Sequence, residues 1–210
     1  MRFRLKLALL ALALATTSAC ALLQRGGRDG GSPTVLTSED GKFQLTLPAG
    51  WRKETQLNEQ ASLQGSYRSR ELYIALLTDT KADFTGEVSL ADFTSLTRNR
   101  MVTEISPTKT TEPVPIMVNG NRALQYEIHA AVEGIKAAYI ITTIETPEHY
   151  HQILTWTLAS RFDQNRGTLL EVTQSFKALG AAKPTTTNSA PLPPLTEPSG
   201  GTSAGPKPAP

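Results

Sequence analysis

Cysteine is nearly absent: Cys20 is the single one in 210 residues, which excludes an internal disulfide framework and any zinc site built on several thiolates. Long apolar runs are lacking too. The stretch Leu7–Ala15 is uninterrupted but far short of the ~20 residues a membrane-spanning helix requires. There is no basic surplus either: 21 Lys and Arg face 19 Asp and Glu, and Arg2, Arg4 and Lys6 more than account for the difference. Beyond them 18 basic residues meet 19 acidic ones, a formal −1. A strongly basic nucleic-acid binder is thereby excluded, because neutralising phosphates needs Lys and Arg in excess on one face. No glycine loop of the phosphate-cradling kind opens a helix, and no Ser/His/Asp set falls on ordered segments.

What is present at the N-terminus reads as export. Three positive charges, the apolar run, and then Thr16, Thr17, Ser18 and Ala19 form the pattern of a secretory signal. Cys20 directly after Ser18-Ala19 resembles the lipobox of bacterial lipoproteins, departing from it at Thr17, where Leu is usual. The resemblance implies cleavage after residue 19 and lipid on Cys20, hence a membrane anchor, since each buried methylene contributes ~0.8 kcal/mol and several chains hold firmly. The alternative is an ordinary cleaved signal with a chance Cys at its border. Ala21, rather than Asp, follows the Cys; by resemblance to enterobacterial sorting this points to the outer membrane, facing the periplasm.

Composition then divides the rest. Residues 20–34, with Gly26, Gly27, Gly30, Gly31 and Pro33, read as a flexible tether. Residues 180–210 hold 8 of the 14 prolines and no aromatic residue, so this tail is expected to stay disordered. The block 35–179 is long enough to bury its own core.

Within the block, strand signals dominate. Phe43, Leu45 and Leu47 alternate before Pro48 and Gly50. Residues 61–67 and 72–78 flank the polar corner Arg68-Ser69-Arg70, which reads as a charged, soluble hairpin tip. Residues 116–118 and 122–130 flank Asn119-Gly120, both tolerant of positive φ. Glu133-Gly134 and Thr146-Pro147-Glu148 separate two further runs, 135–145 and 149–158. Helical spacing begins at Ser89, with Asp92 three residues on and Leu90, Phe93, Leu96 and Met101 following. It returns after Ser160 and Asp163, with Phe162, Leu169, Val172, Phe176 and Leu179 on one face. The expected class is α+β: a central antiparallel sheet of about six strands with amphipathic helices.

Taken in order, Phe43-x-Leu45-x-Leu47-Pro48-x-Gly50-Trp51, Ser89-Leu90, Val118-Asn119-Gly120, Trp156, Phe162-x-x-Asn165 and Ser175-Phe176-Lys177 resemble the PsbP-like superfamily. That superfamily includes the extrinsic photosystem II protein, the nuclear Ran-binding import factor and bacterial lipoproteins of the DcrB type. The resemblance covers about residues 38–179 and implies a sheet sandwiched by helices. Its members act mainly by binding other proteins and share no catalytic set, so no active-site residue carries over.

The remaining constellations divide into chemistry and its plainer reading. Gly201-Thr202-Ser203-Ala204-Gly205 has the nucleophile-elbow spacing, but that chemistry needs a rigid strand-to-helix turn, which a Pro-rich tail does not provide. His149 and His151, two apart in a predicted strand, share a face opposite Tyr150, Leu154, Trp156 and Leu158; His129 lies with Glu127 and Gln125. The pair supplies two imidazoles toward Zn²⁺ or Cu²⁺, yet no third ligand is identifiable, and the plainer reading is a polar, solvent-facing sheet surface. Asp79, Asp83 and Glu87 lack the order of a calcium loop and read as a solvated acidic segment. Trp51 and Trp156 are expected in the core, with an interface rim as the alternative. The reading that results is a lipid-anchored envelope protein, non-enzymatic and without a cofactor, binding a protein partner and no nucleic acid. Its alternative is a small-ligand or metal carrier using the face around His149 and His151.

Overall fold

The computed structural model describes residues 31–179. The expected signal peptide, Cys20, most of the tether, the Gly201–Gly205 motif and the tail lie outside the described residues. The strands are β1 (Thr34–Thr37), β2 (Phe43–Leu47), β3 (Arg52–Lys53), β4 (Leu63–Tyr67), β5 (Leu72–Thr80), β6 (Lys109–Thr110), β7 (Val114–Val118), β8 (Asn121–Val132), β9 (Ile135–Glu145), β10 (His149–Leu158) and β11 (Lys177–Ala178). Two helices, α1 (Leu90–Ile105) and α2 (Phe162–Gln174), complete the set, with 3-10 turns at Arg68–Arg70, Lys81–Asp83 and Ala159–Arg161.

The class is α+β, built on a large antiparallel sheet in the order β3-β4-β5-β10-β9-β8-β6, with β7 also pairing with β8. Most strands expected from alternation form the body of this sheet, short pieces made by tertiary pairing extend it, and the expected strand Phe43–Leu47 lies outside it. A separate three-stranded sheet, β1-β2-β11, covers part of one face. Two-residue loops set the register of the long hairpins. Asn119 and Gly120 take φ of 46° and 84° and align Val118 with Asn121. Glu133 and Gly134, at 51° and 81°, align Val132 with Ile135. These are the positive angles that a tight hairpin of matching twist demands.

Both faces of the large sheet are covered, so most side chains on both faces of its central strands are apolar, with buried Thr142, Thr143, His151, Thr155 and Thr157 among them. Leu72, Ile74, Ile140 and Ile153 meet Leu169 and Val172 of α2, Leu45 of β2 and Phe176. On the opposite face Ala75, Tyr126, Tyr139, Ile141 and Trp156 meet Met101, Val102 and Ile105 of α1. Each fully buried aliphatic or aromatic side chain contributes ~1.5–3 kcal/mol of transfer free energy, and β9 is buried from Ala137 to Ile144 without a break. Trp51 and Trp156 are core residues, 5% and 4% exposed. No helix of the described residues is long and apolar enough to cross a membrane.

The helix starts differ. Ser89 and Asp92 form a full capping box: the Ser89 side chain accepts from Asp92 N–H, and the Asp92 carboxylate accepts from Ser89 N–H at 3.1 Å. For α2 the expected Ser160 cap is corrected, because Ser160 sits in the 3-10 turn and Arg161 occupies the cap position without a side-chain bond. The expected helical run to Leu179 is corrected as well. The helix stops at Gln174, and the Ser175 hydroxyl lies 2.7 Å from Val172 O and 2.9 Å from Thr46 O while accepting Thr46 N–H at 3.0 Å. That bridge turns the chain into β11 beside β2, and Phe176 still reaches the core from there, fully buried.

The antiparallel order gives the domain two ends. Tyr67, Leu72, Leu158 and Ile135 mark one margin of the large sheet; Thr80, His149, Glu145 and Asn121 mark the other. The chain arrives at the Tyr67 end, where a Cβ placed on Gly31 would lie 3.8 Å from the Gly50 nitrogen and one on Gly50 would collide with the Tyr67 ring. It leaves at the His149 end, with Leu179 N–H donating to Lys42 O and Lys42 Nζ 3.2 Å from Glu148.

Candidate functional site

The histidine pair occupies the His149 end, but not as a polar outer surface. His151 is 1% exposed, since its face of β10 packs under the small sheet. Phe43 of β2 meets its ring edge-on at 5.0 Å, and Phe176 lies tilted against it at 4.8 Å. Both ring nitrogens are engaged, Nδ1 with Thr78 Oγ1 at 3.0 Å and Nε2 with Thr146 Oγ1 at 3.1 Å. The Thr146 hydroxyl donates to His149 O, so the network assigns the imidazole proton to Nε2 and lets Nδ1 accept from Thr78. Burial, with the neighbouring His149 adding to it and Asp40 opposing it, pulls the His151 pKa down to about 3. This is a neutral core histidine with no lone pair turned to solvent, and the solvent-facing reading of the pair is corrected accordingly.

The other candidates are not brought together. His149 is half-buried, its ring 5.8 Å from that of His151. His129 pairs with Ala138 near the Tyr67 end, half-buried with its ring edge-on to Phe162 at 5.0 Å. It stands six residues along β8 from Ala123, the partner of Ile144 opposite His151, or roughly 20 Å away at strand rise. Asp79 is partly buried, and burial reinforced by Asp83 holds its carboxyl above the ordinary range, while Asp83 and Glu87 are exposed. Among the described residues no group of three or more His, Cys, Asp or Glu is arranged to hold a metal ion.

A different feature stands out at the same end. An apolar groove of about 260 Å³ opens between the start of α1 and the β7–β8 hairpin, lined by Leu90, Ala91, Pro115, Met117, Arg122 and Leu124. Met117, 56% exposed, carries its apolar lining out to the surface of β7. The groove is smaller than the ~300–1,000 Å³ of typical small-molecule clefts, and suits inserted side chains better than a carried ligand. Edge-strand addition is blocked. Pro115 has no N–H, and Gln174 Nε2 already donates to the Met117 carbonyl at 3.1 Å. One polar group stands at the mouth. Arg122, its side chain 78% exposed, reaches Glu145 only at 3.6 Å, while Lys81 holds the same carboxylate at 2.8 Å.

Sequence reasoning passed over this groove, although a signal existed. Val114-Pro115-Ile116-Met117-Val118 is apolar on both faces and carries a proline, which marks an edge strand whose apolar side chains cannot all be interior.

Comparison with solved structures places the architecture. The fold is similar to that of cyanobacterial PsbP (CyanoP) from Synechocystis sp. PCC 6803, at 13% identity over 75% of this chain and 99% of that one, with a TM-score of 0.52. It is also similar to LpqN of Mycobacterium tuberculosis, a protein involved in cell envelope biogenesis, at 12% identity over 69% of this chain and 89% of that one, with a TM-score of 0.54. No protein-family model matches the chain, and no curated protein matches it. The fold is PsbP-like, as the sequence resemblance implies, and at these identities the likeness concerns the fold alone.

Proposed function

We propose that this chain is a non-catalytic accessory module of the cell envelope. It is anchored through lipid on Cys20, at the outer membrane facing the periplasm, and binds a protein partner through the groove at its His149 end. The observation that carries the reading is the open apolar groove with Met117 exposed at its rim. Exposed apolar patches of this kind mark interaction sites. Charge narrows the partner. Glu39, Asp40, Asp83, Glu87, Asp92 and Glu148 are exposed at this end against Lys42, Arg122 and Lys177. The complementary surface is an apolar side chain flanked by Lys or Arg. The envelope role of LpqN, which shares the fold, agrees with this placement.

The test is site-specific photocrosslinking of the full-length protein in cells, from position 117 and, as control, from position 53. One partner captured from position 117 alone, and lost with Leu124→Glu in a protein that still melts normally, is the expected result. The same proteins captured from both positions, or capture unchanged by Leu124→Glu, would overturn the reading.

A further inference from the structure

The charges that nearly cancel in the composition are sorted end to end in space. At the Tyr67 end the exposed ionic residues include Arg52, Lys53, Arg68, Arg70, Lys109, Lys136 and Arg161, against Glu104, Glu133 and Asp163. The excess is reversed at the His149 end. Inside the Tyr67 end Glu54 takes a bidentate contact from Arg68 at 2.8 and 2.9 Å, while Glu71 Oε2, 3.6 Å from Arg161, makes no hydrogen bond. Arg52, Lys53 and Arg70 form no ion pair among the described residues; Arg70 lies instead over the Tyr67 ring at 5.3 Å. Three cations outside any ion pair, Arg52 among them although its charge acts on Glu54, therefore lie near the point where Gly31 brings the chain in against Gly50.

We propose that the Tyr67 end is a seat for an anionic phospholipid surface, with Arg52, Lys53 and Arg70 as its contacts. A basic patch near an anionic leaflet gains roughly fivefold in binding for each Lys or Arg. The acidic excess at the far end is repelled by the same surface, so attraction and repulsion turn the domain one way. Along the nine residues of β5 the two ends lie roughly 30 Å apart, well beyond the ~8–10 Å over which salt lets exposed charges interact. The seat rests on the membrane placement proposed above, and gives the lipid anchor a second, salt-sensitive contact on the same side of the domain.

The experiment is flotation of the full chain with phosphatidylcholine vesicles, with and without phosphatidylglycerol. Phosphatidylglycerol should strengthen binding, and Arg52→Gln, Lys53→Gln and Arg70→Gln together should weaken that gain roughly a hundredfold. High salt should abolish it, and the far-end control Lys42→Gln with Arg122→Gln should keep it. The pair Lys53→Gln and Arg70→Gln serves if the triple variant melts early. No phosphatidylglycerol dependence, dependence untouched by these variants, or tighter binding to polyglutamate than to the vesicles (an acidic protein in place of lipid) would overturn the seat. Release of a Cys20→Ser chain from cell membranes reads the anchor separately. Failure there with the vesicle response intact removes the anchor and leaves the seat.

Discussion

His151→Gln should flatten the pH dependence of stability between pH 7 and pH 5. The neutral imidazole is clamped between two threonine hydroxyls and two phenylalanine rings, and burial pulls its pKa to about 3. In the unfolded chain the same group titrates near 6.5. The unfolded state therefore binds the extra proton first. Stability from this residue is fully present above the unfolded value and drains away as pH falls toward the folded one. At 1.36 kcal/mol per unit, the drop from pH 7 to pH 5 removes about 2 kcal/mol, worth roughly 4–8 °C of Tm in a domain of this size. Asp40, held low by Ser38, loses its contribution only at more acid pH. Urea unfolding at pH 5, 6 and 7, for the unaltered chain and for His151→Gln, isolates the residue because every other titration cancels in the difference. The variant should be the less stable at pH 7, having lost its ring packing, and the two free energies should converge by pH 5. Parallel curves would refute the argument and mean that His151 is hydrated or already charged in the folded state.

Gly65→Ala should destabilise the domain by ~1–3 kcal/mol in urea, because the new Cβ would lie 2.7 Å from Leu47 Cδ1 and 3.1 Å from Arg52 O with the small sheet unable to withdraw; a neutral result would show that β2 sits more loosely than described. Ser89→Ala removes the capping box of α1 and should cost ~1 kcal/mol, while Ser89→Asp should recover most of it. Cys20→Ser should move the protein from the membrane fraction to the soluble one. Retention to the same extent in high salt would end the lipid-anchor reading, because the basic contact alone is screened there.

Local rules make most of the elements legible in the amino-acid order alone. Asn119-Gly120 announces its hairpin because few residues accept two consecutive positive φ angles, and Ser89 announces α1 because a helix start leaves N–H groups that a hydroxyl can take. What alternation does not tell is which face of β10 is covered. His149 and His151 read as an outer surface, yet Ile153 lies on the same side, and Thr155 and Thr157 are buried there, Thr155 by donating to Ile140 O. A second covering layer decides the matter, and that layer is β1-β2-β11, three short strands that exist only through each other. The same non-local pairing ends α2 early: periodicity favours a helix through Leu179, and one hydroxyl, Ser175, bonded across 129 positions to Thr46, overrides it. The groove is hidden from the sequence for a related reason. Its walls come from residues 90–91 and 115–124, close enough in sequence to be read yet joined only once β7 folds back on β8 beside α1.

The two proposed surfaces constrain each other. A domain seated by Arg52, Lys53 and Arg70 holds its groove roughly 30 Å above the headgroups, a height set by the strand length of β5 and not by the tether. At that height the leaflet's negative surface potential is screened, so a partner with a basic rim meets the acidic His149 end without competition from anionic lipid. Released from the seat, the same domain would lose that orientation, and the groove would spend time turned toward the bilayer. The seat would then raise the fraction of molecules competent to bind, and apparent affinity for the partner scales with that fraction. Weakening the basic contact should therefore reduce partner capture from position 117 in cells even though no altered residue touches the groove. Capture that is indifferent to the Tyr67-end charges would mean that the two surfaces work independently.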